Sequence, residues 1–533
     1  MKSLMKKVFA AAAAIATVFG LAATTVATAN AADNATLTVS TTDAKFAGKT
    51  VNAYKMFSAT VSGDGGSKAV SYTLTDAWKP FFKNSTASGL TGATDENVND
   101  KANDYVSKLK GEDLVAFATK ASNWAQTKTN GIMAGATAMV SADATNGSYT
   151  ATFTDLDYGY YVVAVPGATL ANASGQYATL VSVDSTNVNT NIKGDLPTVD
   201  KKVQVGGTGK DATDAKIGDT LTFTLTSTIP DMSAYDTYTF NFKDTLSQGL
   251  TFGQVTSVTV DGVTDPLTVN TDYTVTTPTT SDNTLTVSMK DFKKQQANAG
   301  KKITVTYTAT LNKDAVVGGH GNTNSATIQY SNNPSSGGTG ESEPSKVRVF
   351  TYGFTVDKYT GDKYDDDATR LAGAEFTLAP KNGTAMSFVQ VDAGSATANA
   401  VYRVAKAGET DTTTTITTPA SGKVVFQGLK NGEYTLTETK APAGYNKLAS
   451  AIGVKVNGQN DGTDTTNATV TITYNNNNGS NYDQTASNGV IPVQNKSGAI
   501  LPGTGGMGTI AFTVIGVLVI ALGVAWTLKR KNA

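Results

Sequence analysis

Three short runs in the last third of the chain alternate apolar and polar residues, and each apolar series ends in a polar side chain. In an extended strand, residues two apart point to the same face. The series are Phe354, Val356 and Lys358, then Tyr434, Leu436 and Glu438, then Ile491, Val493 and Asn495. This parity predicts that a lysine, an acid and an asparagine face the core of one domain.

The same three residue types occur in the same order further upstream. The upstream runs are Val199, Lys201 and Val203, then Phe240, Phe242 and Asp244, then Asn324, Ala326, Ile328 and Tyr330. Lys202 is a close rival of Lys201, but parity places it on the opposite face. The alternative is that these residues sit at strand ends and reach solvent. Repetition of the order in two places favours burial.

Buried together, these three residue types have a chemistry that none has alone. Burial lowers the pKa of a lysine and raises that of an acid, so both become neutral. A neutral amine is a nucleophile, and a protonated acid polarises the amide carbonyl. The amine attacks, ammonia leaves and a Lys–Asn isopeptide bond remains. We therefore predict bonds Lys201–Asn324 and Lys358–Asn495, promoted by Asp244 and Glu438, with each site reacting only once.

Antiparallel strands would position these side chains. Alternating runs rich in β-branched residues are separated by turns such as Asn146-Gly147 and Asn382-Gly383. The pattern predicts an all-β chain of three tandem immunoglobulin-like sandwiches, over residues 32–195, 196–345 and 346–498. Residues 97–127 carry apolar side chains at helical spacing, which predicts a helical insertion in the first domain. The Gly/Ser/Pro-rich segment 332–344 is interpreted as a linker.

Both ends have the character of targeting segments. Residues 1–31 combine three lysines, an apolar run and the small-residue pattern Ala29-Asn30-Ala31, as in a signal peptide. Residues 499–533 contain a predicted transmembrane helix at 510–528, followed by Lys529, Arg530 and Lys531. The motif Leu501, Pro502, Gly503, Thr504 and Gly505 precedes the helix. This order resembles a cell-wall sorting signal, in which a sortase cleaves after the threonine.

Composition excludes several other classes of function. The 533 residues include no cysteine and one histidine, and the net charge is −1. Disulfides are impossible, and no basic surface for nucleic acid is indicated. His320 lies in a glycine-rich loop, so we expect no catalytic triad. We also expect no cofactor and no metal, because the run Asp365-Asp366-Asp367 lacks the ligand spacing of a calcium loop.

Three tracts resemble segments of Gram-positive pilins. Residues 432–445, GEYTLTETKAPAGY, are similar to the E-box, and residues 371–378 are similar to the strand before it. Residues 243–251 and 324–334 resemble the acid-bearing and closing strands of the middle domain in the same family. From end to end, the chain resembles a major (backbone) subunit of a sortase-assembled pilus.

That resemblance implies a fold, a location and a set of partners. The middle domain is expected to be CnaA-type and the outer two CnaB-like. The expected partners are pilus-type and housekeeping sortases, other copies of the chain, minor or tip pilins, and peptidoglycan. The chain is expected to be secreted, to pass through the membrane as a precursor, and to be anchored to the cell wall as a pilus that supports adhesion.

Two further lysines are candidates for covalent chemistry. The family's Tyr-Pro-Lys tripeptide is absent, so the polymerising lysine is inferred from position. Lys193 follows an alternating strand on its polar side near a domain end, and we predict that it is exposed. Lys55 shares parity with Val51, Ala53 and Phe57, which makes it a candidate for an isopeptide bond in the first domain, although no companion acid is evident.

Two alternatives to a shaft subunit stay open at this point. One is a monomeric wall-anchored adhesin, or a tip or minor subunit of a pilus. The other is a surface enzyme, but the sequence shows no cleft-type constellation of catalytic residues. We therefore expect a substrate of sortase rather than an enzyme with turnover.

Overall fold

The computed structural model describes residues 34–63, 68–168, 178–332, 334, 337–364, 366–459, 468–476 and 481–498, and seven positions between 517 and 526. The predicted signal peptide and the motif at 501–505 lie outside the described residues, as does most of the predicted transmembrane helix. In the part that is described, no helix is both long enough and apolar enough to cross a membrane.

The chain divides into two compact units. The first comprises Met1–Thr351 with Gln459–Thr469, and the second comprises Tyr352–Gly458 with Val470–Ala533. Strands dominate both units, so the predicted all-β, multi-sheet class is confirmed. Within the first unit, strand pairing falls into two groups, residues 35–191 and 200–350.

Eight strands of the first unit form a group that we call the first sandwich. They are β1 (Ala35–Thr41), β2 (Thr50–Ser62), β3 (Ala69–Leu74), β4 (Ala136–Met139), β5 (Tyr149–Leu156), β6 (Gly159–Ala164), β7 (Ala178–Val183) and β8 (Asn187–Asn191). One sheet has the order β5-β1-β8, and the other has the order β3-β2-β6-β7 with β4 on β2. Strands β1 and β8, the first and last of the group, run parallel to each other.

The first sandwich also carries the predicted helical insertion, which is confirmed and larger than expected. Its α-helices are α1 (Lys79–Lys83), α2 (Ser85–Ser88), α3 (Val98–Lys108) and α4 (Gly111–Gln126). Aromatic side chains pack the helices against β2 and β6 in one hydrophobic core. Its fully or almost fully buried members include Trp78, Phe81, Phe82 and Phe117. The sequence pattern indicated α3 and α4 but not the short helices before them.

The remaining strands of the first unit form the second sandwich. They are β9 (Asp200–Val205), β10 (Thr208–Lys210), β11 (Ala212–Asp214), β12 (Thr220–Thr228), β13 (Phe240–Leu246), β14 (Leu250–Val260), β15 (Tyr273–Thr276), β16 (Thr284–Met289), β17 (Lys302–Leu311), β18 (Asn322–Ser331), β19 (Thr339–Glu341) and β20 (Ser345–Phe350). One sheet has the order β10-β9-β12-β17-β14, and the other has the order β11-β20-β18-β13-β16-β15 with β19 on β18.

The segment 332–344 is not the linker that its composition indicated. Strand β19 lies inside it and pairs with β18, and β20 continues the same sheet to Phe350. The second sandwich therefore extends past the predicted boundary at residue 345. Glycine and proline mark a hairpin here because a tight turn needs the same backbone freedom as a linker.

The second unit contains the third sandwich. Its strands are β21 (Tyr352–Tyr359), β22 (Glu375–Pro380), β23 (Phe388–Asp392), β24 (Ala400–Val404), β25 (Thr412–Thr413), β26 (Ile416–Thr417), β27 (Lys423–Leu429), β28 (Gly432–Lys440), β29 (Ile452–Gln459), β30 (Thr469–Asn475), β31 (Gln484–Thr485) and β32 (Val490–Gln494). The two sheets have the orders β25-β23-β24-β27-β21-β32 and β26-β22-β28-β29-β30-β31. First strand β21 runs parallel to last strand β32.

Short 3-10 helices occupy several connections. They are Ala44–Phe46, Asp76–Trp78, Lys128–Asn130, Phe292–Asn298 and Asp367–Thr369. The last of these ends beside Arg370, whose guanidinium pairs with the buried carboxylate of Asp357. This ion pair fixes the loop that follows β21, and therefore the end of the strand that carries Lys358.

Candidate isopeptide sites

The second sandwich brings together the three residues predicted for the first site. Lys201 lies on β9 of one sheet, and Asp244 and Asn324 lie on β13 and β18 of the facing sheet. All three are fully buried, with 0% exposure. Alternation along each strand produces this placement, since every second residue of β13 and β18 is buried. Lys202, the rival, points outward and pairs with Asp211.

A fourth side chain lies at the centre of this site. The hydroxyl of Tyr307, on β17, accepts a hydrogen bond from Lys201 Nζ at 2.8 Å and from Asn324 Nδ2 at 2.6 Å. It donates to Asp244 Oδ2 at 2.6 Å. Lys201 Nζ also contacts the same carboxylate oxygen. Amine, acid and amide are thus joined through one phenol oxygen, a residue that the sequence reasoning missed.

The surroundings of Lys201 favour its neutral form. Burial lowers the pKa of this lysine to about 8, although Asp244 opposes the shift. The aromatic rings of Phe223 and Tyr307 lie 5.2 and 5.1 Å from Nζ, so the amine is enclosed by carbon as well as by the site's polar atoms. A lysine with this pKa has a substantial neutral fraction near neutrality, which a lysine with an ordinary pKa lacks.

The third sandwich brings together the residues of the second predicted site. Lys358 lies on β21, Asn495 follows β32 in the same sheet, and Glu438 reaches them from β28 of the facing sheet. Their exposures are 0%, 1% and 3%. Parallel pairing places Lys358 opposite Val493, and the backbone N–H of Asn495 donates to the Tyr359 carbonyl. The lysine and the asparagine are therefore neighbours on adjacent strands.

The carboxylate of Glu438 lies between the amine and the amide. Lys358 Nζ is 3.4 Å from Oε1, and Asn495 Nδ2 donates to Oε2 at 3.1 Å. The backbone N–H of Leu448 also donates to Oε2, at 2.7 Å. Burial lowers the pKa of Lys358 to about 8, with Glu438 opposing the shift. Both lysines thus have pKa values lowered by the same physical cause.

Both sites leave the same pair of atoms without a hydrogen bond. In the described part of the chain, nine buried side-chain nitrogen or oxygen atoms lack a hydrogen-bond partner. Four of them are Asp244 Oδ1, Asn324 Oδ1, Glu438 Oε1 and Asn495 Oδ1. Each site therefore has one carboxyl oxygen and one amide oxygen unsatisfied, and both atoms are acceptors. One proton on the acid would supply the missing donor.

The first sandwich has a different arrangement at the corresponding position. Its strands β1 and β8 pair in parallel as β21 and β32 do, with Leu37 and Val39 buried along β1. The next residue on that face is Thr41, and a threonine provides no amine. The buried face of β1 therefore does not offer the same chemistry.

Lys55 is not fully buried, although it shares parity with the buried Val51 and Ala53. The register of β2 against β6 is regular from Asn52 to Lys55 and shifts only between Lys55 and Phe57. The side chain is half-buried, and Nζ pairs at 2.5 Å with Asp157, whose side chain is 68% exposed. An acid is therefore present, but at the surface.

Lys193 lies just after β8 and is half-buried rather than exposed as predicted. Its side chain lines a small cavity together with Val39, Val51 and Ile192. His320 lies exposed in its turn. Among the residues described, no three His, Cys, Asp or Glu side chains come together in a way that would hold a metal ion.

Solved structures of other pilins are similar to the chain over most of its length. The T6 backbone pilin of serotype M6 Streptococcus pyogenes shares 18% identity, with a TM-score of 0.46, covering 88% of this chain and 99% of that one. The major pilin SpaD from Corynebacterium diphtheriae shares 19% identity, with a TM-score of 0.41, covering 88% and 98%.

A curated relative is the trypsin-resistant surface T6 protein of Streptococcus pyogenes serotype M6, which is 26% identical over 272 residues. The match spans 48% of this chain and 44% of that protein, less than half of each.

Two family models match, one in the second sandwich and one in the third. Residues 217–334 match the Gram-positive pilin backbone subunit 2, Cna-B-like domain, a description that differs from the CnaA type expected for this segment. Residues 357–478 match the prealbumin-like fold domain. The first match includes Asp244 and Asn324, and the second includes Lys358 and Glu438. The chain is therefore similar to Gram-positive pilin backbone subunits in its second sandwich and to a prealbumin-like fold domain in its third.

Proposed function

We propose that the chain is the shaft subunit of a covalently polymerised pilus and that two internal Lys–Asn isopeptide bonds stabilise it. The observation that supports the bonds most strongly is the repeated pattern of unsatisfied atoms. Two separate sandwiches each bury a lysine, an acid and an asparagine, and each leaves one carboxyl oxygen and the amide oxygen without a hydrogen-bond donor. An ion pair that only stabilised the fold would not need the asparagine. It would also not leave the asparagine oxygen without a hydrogen-bond donor in both sandwiches.

The reaction relieves the strain of burying these groups. In the unreacted state a buried ion pair costs more in desolvation than an equivalent apolar contact. Transfer of one proton from the ammonium to the carboxylate makes both groups neutral. The amine then forms a bond to the amide carbon, the carbon–nitrogen bond of the amide breaks, and ammonia leaves. The product is a neutral secondary amide beside a protonated acid.

Intact-mass spectrometry tests this directly. Each bond releases one ammonia, so the protein weighs about 17 Da less per bond than its sequence. Two bonds are expected. Asp244→Asn and Glu438→Gln should each reduce the mass deficit by one ammonia, because an amide side chain cannot take the proton from the lysine. Lys202→Ala is the matched control, since this neighbour of Lys201 points outward, and its mass deficit should equal that of the wild type. A wild-type mass equal to the sequence mass would reject both bonds.

Polymerisation is the second part of the proposal. Cleavage after Thr504 would leave an acyl group on a sortase, and Lys193 of another copy would attack it. The position of Lys193 just after the last strand of the first sandwich supports this assignment. The final wall-linked copy would be joined to peptidoglycan at the same threonine, after passing through the membrane as a precursor.

Blotting of wall extracts boiled in SDS separates a shaft subunit from the alternatives. A shaft subunit gives a ladder of high-mass species, whereas a monomeric adhesin gives one band. A tip or minor subunit enters the ladder only when another pilin is present. Lys193→Ala should abolish the ladder and keep the monomer, and Lys55→Ala should leave it intact. A persistent ladder in Lys193→Ala would assign polymerisation to another lysine.

A further inference from the structure

The hydroxyl of Tyr307 makes as many hydrogen bonds as a phenol can. A phenolic oxygen donates one hydrogen and accepts with its lone pairs. This one donates to Asp244 Oδ2 and accepts from Lys201 Nζ and Asn324 Nδ2. Each of the three partners is a group that changes its bonds or its proton count during the proposed reaction. Among the described residues, no other side chain is hydrogen-bonded to all three.

The position of the phenol is fixed by its surroundings. Tyr307 is fully buried, and its ring stacks on Phe223 with centroids 5.3 Å apart and an angle of 17° between planes. Its strand β17 is paired on both sides, with β12 and with β14. The hydroxyl therefore has little freedom to leave the site, which keeps the amine and the amide nitrogen on either side of it.

The hydroxyl also keeps its proton in the resting protein. Burial raises the pKa of Tyr307 well above its usual value, and the nearby Asp244 carboxylate adds to the shift. A phenol in this state is a neutral donor and acceptor, which suits a group that accepts one proton while giving up another.

The second site has no such group. There Glu438 Oε2 accepts directly from Asn495 Nδ2, and the backbone N–H of Leu448 is the additional donor to the same oxygen. The acid can therefore reach the leaving nitrogen itself. In the first site Asn324 Nδ2 donates to the phenol oxygen, and the phenol in turn donates to the acid.

We propose that Tyr307 is a catalytic residue of the first site and that it delivers the proton that the departing amide nitrogen needs. This inference rests on the proposed isopeptide bond between Lys201 and Asn324. It extends that proposal by assigning the proton transfer in the second sandwich to a phenol, whereas the third sandwich uses the carboxyl group alone.

The step balances without any external reactant. Asp244 takes one proton from the lysine ammonium, and the neutral Nζ forms a bond to Cγ of Asn324. As the bond from Cγ to Nδ2 breaks, Tyr307 gives its proton to Nδ2 and receives one from Nζ. Of the three ammonium hydrogens, one stays in the new amide, one replaces the phenol hydrogen and one remains on Asp244. Ammonia leaves, and the phenol returns to its original state.

The test compares the rates of the two bonds within one molecule. The full-length chain is purified in denaturant, shown by mass to be unreacted, and refolded by dilution into mild detergent. Samples are quenched over time and digested, and the cross-linked peptides containing Lys201–Asn324 and Lys358–Asn495 are quantified. In Tyr307→Phe the first bond should form at least about 100-fold more slowly, the scale of a lost general acid–base group, while the second keeps its wild-type rate.

The control and a second variant separate chemistry from packing. Tyr330→Phe removes another buried phenol from the same sandwich and should leave both rates unchanged. Ring-fluorinated tyrosine at position 307 keeps the hydroxyl and the shape but makes the phenol more acidic. The first bond should then form at an altered rate with an altered pH profile, which a purely structural role would not produce.

The outcomes distinguish this inference from the function on which it rests. Wild-type rates in Tyr307→Phe would overturn the role of the phenol, as would an unaltered rate and pH profile in the fluorinated protein, even if the Phe variant failed to fold. Absence of the first bond from the wild-type protein would instead reject the proposed isopeptide reaction itself.

Discussion

The positions of the two proposed isopeptide links predict how far each sandwich lengthens when the protein is pulled by its ends. In the third sandwich, Lys358 and Asn495 lie on first strand β21 and just after last strand β32. Force that enters at one strand therefore leaves at the other through the covalent bond. In the second sandwich the link joins first strand β9 to β18, and β20 lies outside it. The second sandwich is thus only partly bypassed.

These positions set the size of the effect. Each loop enclosed by a link contains about 120 to 140 residues, which would extend by more than about 400 Å at about 3.4 Å per residue. Outside the links, the segment from Asn324 to Phe350 can release about 90 Å, and Tyr352 to Lys358 about 20 Å. The two sandwiches together should lengthen by about 100 Å with the bonds and by about 1000 Å without them.

Single-molecule stretching measures this difference. The wild-type protein is compared with a Lys201→Ala/Lys358→Ala double variant, and Lys202→Ala is the control for loss of a surface charge. The wild type should show the helical first sandwich as its only long extension, because its first strand β1 carries no lysine. Full extension of the second and third sandwiches in the wild type, equal to that of the double variant, would refute the mechanical role even if mass spectrometry detects the bonds.

Three further predictions concern chemistry and stability in the third sandwich. The pKa of Lys358 is lowered to about 8, and above that pH the site loses to solvent the proton that Glu438 must receive, so bond formation after refolding should be nearly constant from pH 6 to 7 and slow about tenfold from pH 7 to 9. A flat mass-spectrometric time course over that range would contradict it. Asp357→Asn should lower the free energy of unfolding by about 3 kcal/mol in denaturant titration, because Arg370 loses its buried carboxylate partner. Gly458→Ala should lower it by about 1–3 kcal/mol, because the new Cβ would overlap the Tyr352 ring; an unchanged midpoint would show that the ring can move.

Strand parity was sufficient to locate the six polar residues, because period-two alternation is a geometric property of every regular strand. Parity selected Lys201 rather than its neighbour Lys202, since adjacent residues of a strand point to opposite faces. In the structure Lys201 is buried and Lys202 is partly exposed. Parity did not predict the environment of Lys55, because its side chain reaches Asp157 at the surface. Alternation along a strand fixes the face of a side chain but not the partner that a long side chain can reach.

Tyr307 could not be identified from the sequence, for a different reason. It continues the apolar series Ile303 and Val305 on β17, and an aromatic residue in such a series is usually explained by packing alone. Only the three-dimensional register shows that its hydroxyl meets groups from three other strands. In the same way, the glycine and proline residues near 332–344 indicated a break in structure but not whether the chain then returned to the same sheet.

The parallel pairing of β21 with β32 also affects the order of events during synthesis. A chain appears N-terminus first, so Lys358 is available long before Asn495. The sheet of the third sandwich cannot be completed earlier, because first strand β21 pairs with the five-residue strand β32 at the far end of the domain. A chain that stops early lacks the amide and keeps a free amine and a free acid. The proposed covalent link would therefore form only in a domain made to its end, six residues before the Leu501 that begins the predicted sorting motif.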